Sequence, residues 1–237
     1  MPEPPHPPLF SRFEGPTQDS RRWTVQLRQR VLRYFWLKAI GISLFMWVFF
    51  VAYFHLLRHP AYPITQMPLT ALDLAIPFQP VTVFAYLTLW FYVGIAPGLL
   101  LSFRQLLVYG LWAAALCVTG LACFYWFPTA VPPLALDPDL AKFPVFALLQ
   151  GVDATGNACP SLHVATAMFS ALWLDRILRE MGAPLGMRAF NATWFLLIVH
   201  STLATKQHVV LDVLAGVPLG ILFAVAALRW RLRSLPL

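Results

Sequence analysis

Residues 74–103 and 105–136 contain no Asp, Glu, Lys or Arg. Apolar runs of that length constrain this chain more than any other feature it has. A helix needs about 20 predominantly apolar residues to cross the hydrocarbon core. Inside lipid every backbone N–H and C=O must be satisfied within the protein, which leaves helices or closed barrels. Four shorter uncharged runs lie at residues 39–57 (with His55 inside), 154–174, 189–205 and 213–228; each crosses by borrowing its edges, just as the two long runs hold one span plus a flank. Composition agrees: 59% of residues are hydrophobic and 11% charged, against about 25% charged in soluble domains. The expected fold is all-α, a polytopic membrane protein with a six-transmembrane-helix bundle over residues 34–237.

Residues 1–33 read differently. Pro2, Pro4, Pro5, Pro7, Pro8 and Pro16 alternate with charged residues, a composition that predicts a disordered Pro/Arg-rich cytoplasmic tail and no cleavable signal peptide. Fourteen of the 17 basic residues fall on one side of the six-span scheme, leaving Arg58, Lys142 and Lys206 for the other. By the positive-inside rule both termini face the cytoplasm. The expected location is the cytoplasmic (inner) membrane, and the net charge of +7 becomes a topology signal. No separate basic module exists, so nucleic acid is not an expected partner. Cys117, Cys123 and Cys159 have no metal-ligand or C-x-x-C spacing and read as packing residues.

In this topology the third and fifth helices exit, and the fourth and sixth begin, at the outer face. The chemistry gathers there. His208 and Asp212 are four residues apart at a helix start and so share a face. A carboxylate on one ring nitrogen fixes the tautomer and leaves the other nitrogen as nucleophile or base. Ser161 follows Pro160 at the start of the fourth helix, where unpaired N–H groups and the helix dipole favour an anion. Lys206 stands two residues before His208. Together these make a phosphate-shaped site, with His163 inside it. Asp153 and Asn157 are turn formers or caps of the fourth helix. His200 is expected to be a hydrogen-bonded core residue of the fifth helix, and His6, His55 and His59 receive no role.

Pro160-Ser161-Leu162-His163-Val164-Ala165, then Thr205-Lys206-Gln207-His208 and Asp212-Val213-Leu214-Ala215-Gly216, resemble the type 2 phosphatidic acid phosphatase superfamily, and within it the inositol phosphotransferase-like branch. DLAIPFQPVTVFAY, FPTAVPP and DATGNACPSLH extend the resemblance from about Asp73 to Gly220. It implies a six-helix membrane bundle, His208 as nucleophile, Asp212 as its partner and His163 as acid toward the leaving group. It also implies that Ser161 and Lys206 hold phosphate oxygens, with no cofactor. The chain departs from the pattern where the family carries clamp arginines: Pro132, Pro133 and Leu134 occupy one place and Thr202 the other. A single lysine is a poor substitute for an arginine fork; Lys142 is a further candidate cation.

These features predict a metal-independent lipid phosphatase or phosphotransferase acting on a lipid-linked phosphoester through a phosphohistidine. Water or an alcohol is the acceptor, with hydrolysis preferred. The alternatives are a noncatalytic lipid-binding scaffold of the same fold, motivated by the missing arginines, and a metal or haem protein. A metal site would require a third ligand at suitable spacing, where only Asp212 is on offer.

Overall fold

The computed structural model describes residues 23–133 and 156–233. Along the chain run α1 (Trp23–Leu32), α2 (Phe35–Arg58), β1 (Thr65–Gln66), α3 (Ala71–Ala75), a 3-10 turn (Pro80–Thr82), α4 (Val83–Leu87), α5 (Leu89–Gly98), α6 (Phe103–Trp126), β2 (Thr129–Ala130), α7 (Leu162–Glu180), α8 (Leu185–Ala204) and α9 (Val210–Arg233). Among the described residues four stretches are long and apolar enough to cross a membrane: Phe35–Arg58, Pro80–Gly98, Phe103–Trp126 and Val210–Trp230. Such helices mark a membrane protein. The uncharged runs at 154–174 and 189–205 correspond to α7 and α8, helices of 19 and 20 residues.

Local chemistry sets the helix limits more tightly than the uncharged runs do. Among the described residues of run 105–136 the helix ends at Trp126, ahead of Pro128, Pro132 and Pro133, which remove backbone donors and fix φ. Among the described residues of run 154–174 the helix begins at Leu162, after Pro160, where Ser161 caps α7 by accepting a hydrogen bond from Val164 N. Ser102 caps α6 in the same manner through Gln105 N.

Two expectations need correction. Trp23–Leu32 is a helix within the stretch read as a disordered tail; residues 1–22 lie outside the described residues, as do Lys142 and Asp153. The helix is held because Trp23 and Leu27 pack on the core and the Arg30 guanidinium donates to Leu99 O at 3.2 Å. His200 is exposed, not in the core. Phe195, Ile198, Ser201 and Thr202 turn inward from α8, and the 3.6-residue period carries position 200 to the other side.

The core centres on α7, which packs on α5, α6, α8 and α9, most extensively on α9. Val164, Ala165, Ala167, Trp173 and Ile177 are fully enclosed. The α7–α9 seam depends on Gly216 and Gly220, one helical turn apart on α9. A Cβ at Gly216 would lie 2.6 Å from the Ser161 carbonyl oxygen, and one at Gly220 would collide with the carbonyl oxygen of Ala165. This is the small-x-x-x-small packing that lets two backbones touch within a bilayer. Buried polar bonds add to the bundle: Tyr92 Oη donates to Asn191 Oδ1 (2.7 Å), Asn191 Nδ2 donates to Ala171 O (3.0 Å), and Tyr109 Oη meets Ser170 Oγ (3.2 Å).

At one end of the bundle β1 pairs in parallel with β2, Thr65 opposite Thr129 and Gln66 opposite Ala130. Val131, Ala158 and Val209 form a small apolar cluster there, with Met67, Leu69 and Leu211 against it. That layer joins the loops after α2, α6 and α8. The opposite end carries Asp175, bonded to Arg188 and Arg179 at 2.7 Å each.

Candidate active site

Backbone contact between the first turns of α7 and α9 creates the site. Ser161 N donates to Asp212 O at 3.0 Å, a bond possible only because Gly216 keeps the helices in contact. Asp212 is fully buried. Its Oδ2 accepts from Val209 N at 2.9 Å and faces His208 Nδ1 at 3.4 Å. One carboxylate therefore closes the N-terminus of α9 and orients an imidazole four residues earlier. No partner for its Oδ1 occurs among the described residues, so the charge of that oxygen is free to act on the imidazole.

His163 and His208 are both buried, and their ring centroids lie 5.5 Å apart with planes 60° to each other. One imidazole from the first turn of α7 and one from the loop before α9 thus face each other. His163 is set by aromatics: Tyr86 stacks on it at 4.5 Å and Trp90 meets it edge-on at 5.2 Å. These two were missed in the sequence. Their spacing of four puts them on one helical face, yet in an apolar run such a pair looks like any packed core stripe.

The structure brings Ser161, His163, His208 and Asp212 together. It places the Lys206 ammonium on the backbone of α3, donating to Asp73 O (2.8 Å) and Ile76 O (2.6 Å). Lys206 itself has a left-handed backbone, φ 58°, a sparsely populated conformation for a residue with a side chain. Burial pulls its ammonium below the usual lysine range, and the Asp73 carboxylate opposes that. Asp73 is a third residue not singled out in the sequence. Its Oδ1 accepts from Val210 N (2.8 Å) at the start of α9, and its Oδ2 accepts from Thr70 N and Oγ1 (2.8 and 2.7 Å). Gln79 N donates to Ala204 O (2.9 Å). Lys206 and Asp73 thus fasten the 70–79 segment to the loop that carries His208. Thr202, standing where the family pattern has arginine, is buried, and its carbonyl accepts from Gln207 N and His208 N (both 3.1 Å). Asn157 Nδ2 donates to Tyr53 O (3.2 Å), tying the approach to α7 onto α2.

Lys206→Met removes two charge-assisted bonds, each worth about 1.5–3 kcal/mol. Amide exchange over residues 71–76 is expected to accelerate on the order of tenfold or more, with turnover falling as the His208 loop loosens. Hydrogen-exchange mass spectrometry checks it; unchanged protection of that segment excludes the tether.

The fold and site define a helical membrane protein that gathers two imidazoles and a buried carboxylate at one end of its bundle. The PAP2 superfamily model matches residues 105–236, more than half of the chain, and the chain belongs to that superfamily. No curated protein and no solved structure matches it. Superfamily membership supports a phosphoric ester hydrolase acting on a lipid-type substrate at the membrane. The matched span contains Ser161, His163, Lys206, His208 and Asp212.

Proposed function

We propose that this protein is a metal-independent lipid phosphatase or phosphotransferase that cleaves a lipid-linked phosphoester through a phosphohistidine. The observation that supports it is the pair of buried imidazoles 5.5 Å apart, one of them facing a fully buried carboxylate. Asp212 holds the Nδ1–H of His208, which leaves Nε2 with its lone pair for phosphorus. His208 attacks in line, the P–O bond to the lipid alcohol breaks, and His163 gives its proton to the departing oxygen. Water, activated by His163 as base, then breaks the P–N bond and releases phosphate; an alcohol in place of water makes the reaction a transfer. Ser161 Oγ spends its lone pair on Val164 N and keeps its own proton for a phosphate oxygen. Lys206 uses two of its three donors on carbonyls and keeps one for the same purpose.

In this reading α7 and α8 are membrane spans as well, giving six, and both termini face the cytoplasm with the site at the outer face. Within the superfamily this reading puts the chain in the inositol phosphotransferase-like branch, on the likeness of its FPTAVPP and DATGNACPSLH segments. Topology is checked with cysteines placed in a background lacking the three native ones. Tyr62→Cys, in the exposed loop after α2, is expected to react with a membrane-impermeant thiol reagent in intact cells, and Leu185→Cys, exposed at the start of α8, only after lysis. The reverse pattern overturns the orientation. The activity itself is tested by phosphate release from a panel of lipid phosphates in EDTA with products resolved by mass. Turnover that persists under chelation supports the reading, loss under chelation refutes its metal independence, and no turnover of any lipid phosphate refutes the activity.

A further inference from the structure

A cavity of about 710 Å3 lies among α2, α5, α6 and α7, inside the size range of ligand pockets. Its walls are apolar along almost their whole length. His163, Tyr86 and Trp90 belong to its lining at the site end, and Lys38 to its lining at the other. Lys38 is buried, its ammonium fixed on Arg30 O (2.6 Å) and Gly98 O (2.8 Å), so a tied-down side chain stands at that end. The α2 residues in the wall run from Leu37 to Phe54, about 26 Å at 1.5 Å per residue. The chamber is therefore continuous with an imidazole of the site and reaches most of the way through a hydrocarbon core of about 30 Å.

Resting on the phosphoesterase reading above, we propose that this chamber receives the hydrocarbon tail of the substrate, and that the substrate is the phosphoester of a single chain long enough to pass the bilayer midplane. The length of the chamber points there. A tail confined to one leaflet reaches about 15 Å, little more than half of the chamber. The tail enters from the side: Leu107 and Leu111 of α6 line the chamber yet are 50% and 60% exposed.

Two glycines in the deep half make this testable. Gly41 on α2 and Gly110 on α6 line the chamber, and a Cβ added at either meets no atom within 4 Å. Gly41→Phe and Gly110→Phe shorten the chamber without striking the backbone. The full chain in nanodiscs is given single-chain alkyl and isoprenyl monophosphates from shorter than one leaflet to longer, with a two-chain phosphatidate and p-nitrophenyl phosphate. Turnover is measured on the active protein, and binding of the same series on His208→Ala. Affinity and kcat/KM are expected to rise with chain length past the midplane, with the two-chain lipid weaker. In the Phe variants the loss is expected to grow with length, to on the order of tenfold for the longest chain, as two lost methylene contacts imply at about 0.8 kcal/mol each. Binding that ignores chain length, or two-chain lipid bound as well as the longest single chain, overturns the proposal. So does an equal loss for every substrate in folded Phe variants; the wild-type length series decides alone if those variants do not fold. Length-dependent binding without turnover of any phosphate sustains the chamber and refutes the catalytic reading instead.

Discussion

His208→Ala is expected to abolish turnover, by on the order of 10⁵-fold or more, and with it any phosphoenzyme trapped by a denaturing quench at alkaline pH, where a phosphohistidine survives. The expectation follows from how completely the fold is organised around that side chain. Its backbone N–H is tied to Thr202 O, and its Nδ1 faces a fully buried carboxylate that also accepts from Val209 N. Across from it stands the ring of His163. Alanine leaves Asp212 buried without the imidazole it orients, so a stability control belongs with the kinetics. Asp212→Asn separates the roles: it keeps the size of the side chain and loses the charge that favours the imidazolium-like state, so it should slow phosphoenzyme formation while leaving phosphohistidine detectable. Radiolabel from a phosphate-labelled lipid, mapped by mass spectrometry, is the measurement. Undiminished labelling in His208→Ala eliminates it as the nucleophile.

The parts of this site that were legible in the sequence are those whose partners are close in the chain. His208 and Asp212 at a spacing of four, and Ser161 after Pro160 at a helix start, are local patterns; Ser161 caps α7 and Asp212 faces His208, although His208 stands in the loop before α9 and not on the helix. The helices were legible because lipid demands long apolar runs, although the runs overshot the helices wherever proline intervened, as at Pro128 and Pro160. What could not be read depends on contacts between distant segments. Asp73 reaches Val210 N across 137 positions, and Lys206 reaches Ile76 O across 130, so the lysine's tethering role is invisible until the loop closes on α3. The Gly216 and Gly220 spacing is visible in the sequence, but which carbonyls those glycines admit is not. Tyr86 and Trp90 hold His163 from a segment that by composition is ordinary membrane helix.

His163→Ala is expected to cost about 10² to 10⁴ in turnover of lipid phosphates, the usual worth of a positioned proton donor, while leaving a phosphohistidine still able to form. Attack by His208 pushes negative charge onto the departing oxygen, and an alkoxide leaves poorly unless a proton arrives with the breaking bond. The ring of His163 is built for delivery rather than attack. It is clamped between the face of Tyr86 and the edge of Trp90, while the Asp212 carboxylate faces His208 and raises its nucleophilicity. A substrate whose leaving group needs little protonation removes the need for the donor. Toward p-nitrophenyl phosphate the deficit of His163→Ala is therefore expected to shrink by at least about tenfold in the first step, with a burst of nitrophenolate ahead of slow hydrolysis, because release of the phosphoryl group still calls on His163 as base. Burst kinetics on that substrate, beside steady-state rates on a lipid phosphate, measure both halves. If His163→Ala is as inert toward the nitrophenyl ester as toward the lipid, or if the phosphohistidine maps to position 163, the two imidazoles exchange roles and Asp212 becomes a helix cap that faces the acid.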